Sequence, residues 1–209
     1  ILQFDAWGNF YRTWGSQGNS DAQFNSPSGI AVASDRSFYV ADTGNNRIQQ
    51  FSADGAFVRK WTSPCKGVAV SSGGAVYTVD KDNNLIRQYT ANGALVRSWG
   101  SQGSGDGQFN SPQGIAVAFD GSVYVADTGN NRIQQFSAKG IFLRQWATPC
   151  KGVSVAPDGS IYTTDTENHR IRHYTANGTL RGEWGSQGAS DGLFNSPAGV
   201  AAASDGTVY

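Results

Sequence analysis

The sequence is built from long internal repeats. The tripeptide Asn-Ser-Pro ends at Pro27, Pro112 and Pro197, so that each copy lies 85 residues after the previous one. Between residues 25–61 and 110–146, 29 of 37 positions are identical. Each copy of such a repeat buries its apolar face against its neighbours, because one copy alone is too small to form a core. The chain must therefore fold as a repeat architecture.

Each long period contains two shorter units. A segment of Gly followed by three small or apolar residues begins at Gly29, Gly67, Gly114 and Gly152, with spacings of 38, 47 and 38 residues. Units of about 40 residues are typical of propeller blades. The chain has 27 Gly, 6 Trp, 8 Tyr, 11 Phe and no Met. This composition favours turns and aromatic-rich strands over helices.

The first complete unit predicts four short strands, at residues 29–33, 38–41, 48–51 and 57–61. A polar loop at 42–46 joins the second strand to the third. Asp54-Gly55 joins the third to the fourth, and Asp-Gly suits the type I′ hairpin turn. No segment has the periodicity of a helix. The predicted fold class is therefore all-β, a β-propeller of four-stranded antiparallel blades.

Alignment of the units predicts one propeller domain over residues 1–209. It contains four complete blades (25–61, 64–99, 110–146 and 149–184) and two half-blades (1–14 and 195–209). If the half-blades complete each other, the chain closes a ring of five. Three double units would instead give a ring of six, which needs 46 further residues. We expect six blades in the complete ring, with five as the alternative.

These motifs resemble the NHL repeat. The matching residues in the first unit are Phe-Asn-Ser-Pro at 24–27, Gly-Ile-Ala-Val at 29–32, and Tyr-Val-Ala-Asp-Thr-Gly-Asn-Asn-Arg-Ile-Gln at 39–49, followed by Gly55 and Trp61. They recur almost unchanged at 109–146 and more loosely at 78–87 and 163–172. The resemblance implies a propeller fold over the whole chain. The family's propellers include RNA-binding, protein-interaction and sensor domains and a few enzymes, so the resemblance leaves the function open.

Charge and hydropathy argue against two classes of partner. Sixteen basic and sixteen acidic residues cancel, so no long-range field attracts nucleic acid or an anionic membrane. The chain has no apolar stretch of about 18 residues, so membrane insertion is not expected. We expect a soluble protein, with an extracellular location favoured. Asn177-Gly178-Thr179 fits the N-glycosylation pattern, which matters only in a secreted protein.

Several repeated residues are expected to serve the fold. One carboxylate ends every second strand and is expected to accept backbone N–H groups, although a ring of ligand carboxylates is the alternative. These residues are Asp42, Asp80, Asp127 and Asp165. Tryptophans end the fourth strands and are expected to pack between blades. They are Trp61, Trp99, Trp146 and Trp184. The third strands begin with Arg47, Leu85, Arg132 and Arg170, of which the arginines are expected to close the seams between blades.

The cysteines and histidines predict no metal site. Cys65 and Cys150 lie in non-adjacent blades, so a disulfide is not expected and we interpret them as small apolar residues near the channel. A thiol pair binding a metal is the alternative. His169 and His173 are four residues apart, but they lie at the start of a strand, where a spacing of two decides which side chains share a face. No cofactor is expected.

The loops of one end of the propeller predict the binding site. The Asn-rich loops and the Pro-Cys-Lys-Gly segments recur in equivalent places, so they should present similar surfaces around the axis. The candidate ligand-binding residues are Asn45, Asn46, Lys66, Asn83, Asn84, Asn130, Asn131, Lys151, Asn168 and His169.

The sequence predicts a non-catalytic binding or protein-interaction scaffold for a protein or glycan ligand. Catalysis is not expected, because acid and base need different environments and the repeats supply similar ones. Two alternatives stay open. One is an enzyme that resembles the metal-dependent lyases and lactonases on related propellers, with a site at the channel mouth. The half-blades and the high repeat identity suggest an engineered or evolved fragment that self-associates through its half-blade edges.

Overall fold

The structure, a computed structural model, describes residues 1–5, 7–203 and 205–209. Two short sheets precede the first complete blade. β1 (Leu2–Phe4) and β2 (Phe10–Thr13) form an antiparallel pair, and β3 (Ser16–Gln17) pairs in parallel with β4 (Gln23–Phe24). Parallel bridges from Gln102 to Phe109 and from Gln187 to Phe194 repeat this second pairing at 85-residue intervals. The three long linkers therefore share one conformation.

Four antiparallel sheets follow, each with its four strands in sequential order. Blade one contains β5 (Gly29–Val32), β6 (Phe38–Asp42), β7 (Arg47–Phe51) and β8 (Phe57–Thr62). Blade two contains β9 (Gly67–Val70), β10 (Val76–Asp80), β11 (Leu85–Tyr89) and β12 (Leu95–Trp99). Blade three contains β13 (Gly114–Val117), β14 (Val123–Asp127), β15 (Arg132–Phe136) and β16 (Phe142–Ala147). Blade four contains β17 (Val153–Val155), β18 (Ile161–Asp165), β19 (Arg170–Tyr174) and β20 (Leu180–Trp184).

These sheets confirm the predicted all-β fold class of four-stranded antiparallel blades. In blade one, every predicted strand end lies within one residue of the observed end. The loop at 42–46 contains one turn of 3₁₀-helix, Thr43–Asn45, and Thr128–Asn130 repeats it. A single turn is too short to produce a periodic pattern, so the sequence does not reveal it. Among the described residues, no helix has the length and apolar character needed to cross a membrane.

The core lies between neighbouring sheets. All five residues of β6, β10 and β14 are buried, because these strands have a sheet on each face. The tryptophan that ends the fourth strand spans each seam. The ring of Trp61 lies 6.0 Å from Tyr39 in its own blade and 5.8 Å from Tyr89 in the next. Trp184 is 40% exposed, since no third strand of a following blade covers it.

The inner strands are arranged as an arc around one axis. A glycine begins or directly precedes each inner strand and packs against the next segment: a Cβ on Gly114 would lie 2.6 Å from the carbonyl oxygen of Lys151. The equivalent Gly199 has no other atom within 4 Å of such a Cβ. In the described part of the chain, no strand pair or bridge joins residues 1–14 to residues 195–209. The pairing required for a five-bladed ring is therefore not formed.

Candidate functional site

The end of the sheets where β6 runs into β7 is called the top face here. A buried carboxylate organises each loop on this face. Asp127 is 0% exposed and accepts hydrogen bonds from Asn110 N at 2.8 Å, Asn130 Nδ2 at 2.9 Å and Arg132 Nε at 2.7 Å. Asp42 has the equivalent partners in blade one. These carboxylates have no free oxygen for a ligand and hold the loop in place.

The arginine beside each of these carboxylates anchors a long linker. Arg132 donates to the carbonyl oxygens of Ser104 at 2.7 Å, Gly105 at 2.9 Å and Gln108 at 2.8 Å. Arg47 makes the same three bonds to the linker that precedes blade one. The guanidinium therefore fastens each odd-numbered blade to the segment that joins it to the blade before.

The even-numbered blades use a different arginine. Leu85 occupies the first position of β11, and Arg87, two residues later, pairs with Asp80 at 2.6 Å. In blade four Arg172 pairs with Asp165 at 3.1 Å, whereas Arg170 pairs with Glu183 near the surface. Arg87 and Arg172 were not among the residues predicted from the sequence. The sequence could have identified them, because both arginines lie at the third position of their strands, and side chains at the first and third positions of a strand point to the same face.

Six of the ten candidate binding residues hold the loops together. Asn45, Asn83, Asn130 and Asn168 donate their side-chain amides to the buried aspartates. Asn84 and His169 occupy the next position and have φ of 56° and 57°. Their side chains accept hydrogen bonds from the backbone N–H groups of Ser111 and Ser196. His169 thus repeats the role of Asn84 and fastens the long linker that follows its blade.

The other four candidates are free to meet a ligand. Asn46 and Asn131 are exposed, and both have φ of 51°. Their side-chain amides make no hydrogen bond within the described residues, and neither do the ammonium groups of Lys66 and Lys151. Since the structure tests no binding, their role as ligand contacts stays a prediction.

The first seam pocket is a cavity of about 250 Å³ between blades one and two. Blade one supplies Thr43 and Asn46, which follow β6. Blade two supplies the segment before β9 and the loop after β10. The lining residues are Thr43, Asn46, Pro64, Cys65, Lys66, Asp80, Lys81 and Asp82.

The second seam pocket, about 200 Å³, lies between blades three and four. Six of its residues repeat the first pocket with the same amino acid at an interval of 85: Thr128, Asn131, Pro149, Cys150, Lys151 and Asp165. Thr166 and Glu167 replace Lys81 and Asp82, and Gln113 also lines the wall. The two pockets therefore offer closely similar amide, ammonium and carboxylate groups.

A third cavity lies on the axis. This axial cavity of about 320 Å³ is surrounded by the beginnings of five inner segments. Ser28, Lys66, Gln113, Lys151 and Ala198 occupy equivalent places, one from each segment. Lys66 and Lys151 line both this cavity and a seam pocket, so each lysine forms the boundary between the two spaces.

The two cysteines lie beneath the seam pockets and are not bonded to each other. Cys65 and Cys150 are 5% and 4% exposed, and each packs in the apolar cluster between two blades. Burial raises the pKa of the Cys65 thiol to about 12 and raises that of Cys150 as well. Both are therefore protonated thiols at neutral pH, unsuited to nucleophilic attack.

The cysteines predict a pH dependence of stability. An unfolded thiol loses its proton above its ordinary pKa of 9.0, whereas folded Cys65 keeps it until about pH 12. The unfolded state binds fewer protons in this range, so the free energy of unfolding should fall as pH rises from 9 to 12. Each thiol contributes at most about 1.4 kcal/mol per pH unit. Urea unfolding at several pH values should show a shallower decline for Cys65→Ala; identical slopes would contradict the linkage.

The remaining titratable groups form no cluster suited to a metal. His173 stacks on Tyr162, with ring centroids 4.5 Å apart and an interplanar angle of 7°, and so belongs to the packing of blade four. Within residues 1–5, 7–203 and 205–209, no three His, Cys, Asp or Glu side chains come together in a geometry able to hold a metal ion.

Comparison with known proteins supports the fold and the repeat. The NHL repeat model matches residues 24–51, 109–136 and 150–174. Comparison with curated protein sequences finds no match.

Among solved structures, a streptogramin B lyase superimposes with a TM-score of 0.71 at 18% identity, covering 99% of this chain and 67% of the lyase. Virginiamycin B lyase from Staphylococcus aureus gives 0.68 at 19% identity, covering 87% and 61%. A gluconolactonase from Xanthomonas campestris gives 0.69 at 18% identity, covering 90% and 70%. This chain thus spans about two thirds of the length of these proteins.

These likenesses correct one expectation. From the similarity of the repeats we expected a chain that is not an enzyme, yet the similar structures include two lyases and a lactonase. This fold can therefore carry catalysis, because function depends on particular side chains placed on a fold and not on the fold itself. At 18–19% identity the likeness shows the fold and does not transfer a reaction.

The repeat matches agree with the structure. Each matched segment overlaps the second and third strands of a blade: β6 and β7, β14 and β15, and β18 and β19. The resemblance identified from the sequence is thereby confirmed: the chain carries NHL repeats at three places, as expected of an NHL-repeat β-propeller.

Proposed function

We propose that this chain is a binding protein that presents its two seam pockets to a glycan of repeated hydroxyl-bearing units. The observation that carries the proposal is the equivalence of the pockets. Six lining residues are the same in both and are separated by 85 residues. A ligand with repeated units can occupy both pockets at once, and it then binds more tightly than either pocket alone allows.

The chemistry of the pockets favours a glycan over an apolar peptide. Asn46 and Asn131 each offer an amide that can both donate to and accept from a hydroxyl group. Lys66 and Lys151 add donors, while the outer loops add the carboxylates of Asp82 and Glu167. These groups suit a ligand with many hydroxyls, because each can be paired on binding and none is left buried without a partner.

A titration with a glycan selected on an array should detect two sites per chain. Replacing Asn46 with alanine should weaken one site about tenfold and leave the other unchanged, since a lost hydrogen bond is worth roughly 1 kcal/mol or somewhat more. Asn131→Ala should affect the second site in the same way, and the double variant should weaken both. Isothermal titration calorimetry measures the number of sites and both affinities.

Asn84→Ala is the matched control. Asn84 occupies the same repeat position, but its side chain accepts from Ser111 N and lines neither seam pocket. Its replacement should leave both affinities unchanged while lowering thermal stability slightly. A single site, or unchanged affinities in the Asn46 and Asn131 variants, would contradict the proposal. Binding only to a peptide array would reassign the pockets to a protein partner.

A lyase or lactonase with its site at the channel mouth is the second candidate. The likeness in fold to enzymes of these kinds favours it. His169 is the histidine on the top face and lies two residues from Glu167 of the second seam pocket. Turnover of a streptogramin B or of gluconolactone that is lost in His169→Ala and retained in Asn84→Ala would support it. No turnover of either substrate would leave it without support.

A further inference from the structure

The axial cavity has a lining of unusual charge. Its polar side chains are Ser28, Lys66, Gln113 and Lys151, and no carboxylate lines it within the described part of the chain. Each of the five inner segments contributes a glycine to the wall, so no side chain at these positions fills the space. The cavity is therefore an open space bordered by two cationic groups and one amide.

The backbone adds further donors. The innermost strand of each blade is hydrogen-bonded on one side only, as the order of strands in the sheets shows. Alternate backbone N–H and C=O groups of these strands therefore point away from the sheet, toward the axis. Such N–H groups can complete the hydrogen bonding of an anion that enters the cavity.

Neither lysine is held in an ion pair, although Asp82 lines the seam pocket of Lys66 and Glu167 lines that of Lys151. The described residues contain no ion pair to Lys66 or Lys151, whereas the exposed Lys60 pairs with Asp21 at 2.5 Å. The buried carboxylates that line the same seam pockets, Asp80 and Asp165, are already paired with arginines. The lysines are half-buried, so an anion between them is screened less by water than on an open surface.

We propose that the axial cavity binds the carboxylate of an acidic sugar between Lys66 and Lys151, with the Gln113 amide as a third donor. The inference rests on the proposed function, because each lysine also lines a seam pocket. Each of these lysines separates a seam pocket from the axial cavity. A uronic acid can therefore place its hydroxyl groups in the seam pocket and its carboxylate on the other side of the lysine, in the axial cavity. Charge-assisted hydrogen bonds would then select acidic sugars over neutral ones.

The five lysines of the chain allow a direct test. Reductive ¹³C-dimethylation labels the five lysine side chains, and the N-terminal amine as a sixth group, and keeps their charge. Sodium glucuronate is added at constant ionic strength, with glucose as the neutral control. The signals of Lys66 and Lys151 should shift together and saturate at one dissociation constant, while Lys60 and Lys139 stay still. Glucose should leave all five signals in place.

Replacing Lys66 with glutamine should raise the dissociation constant measured at Lys151 at least tenfold, and Lys139→Gln should not change it. Parallel, unsaturable shifts of all five signals, or no shift at Lys66 and Lys151, would overturn the inference. The proposed function can fail separately. If glucuronate does not bind in the axial cavity but the glycan still occupies two seam pockets, this inference alone is wrong. If glucuronate binds in the axial cavity and its affinity is unchanged by Asn46→Ala and Asn131→Ala, the seam-pocket proposal alone is wrong.

Discussion

Replacing Asp127 with alanine is expected to lower the free energy of unfolding by about 3–5 kcal/mol. The carboxylate is fully buried, and its removal leaves the nearly buried guanidinium of Arg132 without its counter-charge. The bonds that Asn110, Asn130 and Gln134 donate to this carboxylate are lost as well. Urea unfolding followed by tryptophan fluorescence measures the change.

Asp21→Ala is the control for Asp127→Ala. Asp21 also forms an ion pair, with Lys60, but both side chains are about half exposed. Exposed pairs contribute at most about 1 kcal/mol, so this variant should unfold close to the wild type. Equal destabilisation of the two variants would show that burial of Asp127 does not determine its contribution.

Replacing Gly114 with alanine is expected to cost about 1–3 kcal/mol, the usual range for an atom forced into a packed interior. The added Cβ would lie 2.6 Å from the carbonyl oxygen of Lys151 and 3.1 Å from the N of Val153. Both are backbone atoms of the next blade, so relief requires movement of a whole strand. The φ angle of Gly114 is not in the left-handed region, so the effect is one of space alone.

Gly199→Ala provides a matched comparison at the same repeat position. A Cβ there meets no atom within 4 Å. The substitution also reduces the entropy of the unfolded chain, so it should be neutral or stabilising by up to about 1 kcal/mol. Gly114→Ala should therefore lower the free energy of unfolding, whereas Gly199→Ala should leave it unchanged or raise it. Thermal and urea unfolding measure both changes. Destabilisation of both by the same amount would mean that the close approach between inner strands does not explain the glycines.

The sequence predicted the parts of this fold that depend on local chemistry. Short apolar runs and turn residues such as Asp54-Gly55 act over a few residues, so the strand ends in blade one were predicted to within one residue. The sequence did not reveal that Arg87 does in blade two what Arg47 does in blade one, which is to pair with the buried aspartate. The difference depends on which side chain reaches across a strand pair. In β10 and β11 Asp80 lies opposite Leu85, and Arg87 reaches it from two residues further along.

The candidate site was predicted less well for a related reason. Asn45 and Asn46 are adjacent and chemically identical, yet one holds Asp42 and the other is exposed with a left-handed backbone. Composition and spacing cannot separate them, because the difference is one of side-chain direction. Lys66 and Asn46 line one pocket from different blades, and this depends on the packing of the two blades. The sequence thus located the loops and left the individual contacts to the structure.

The equivalence of the two seam pockets is tested most directly by nuclear magnetic resonance of the side-chain amides during titration with a glycan selected on the array. We predict that the signals of Asn46 and Asn131 shift with similar dissociation constants, because six pocket residues are the same in both. The signals of Asn45 and Asn130, which are hydrogen-bonded to buried aspartates, should move little. Shifts confined to one pocket, or to residues away from the top face, would contradict the proposal that the repeats create two equivalent binding sites.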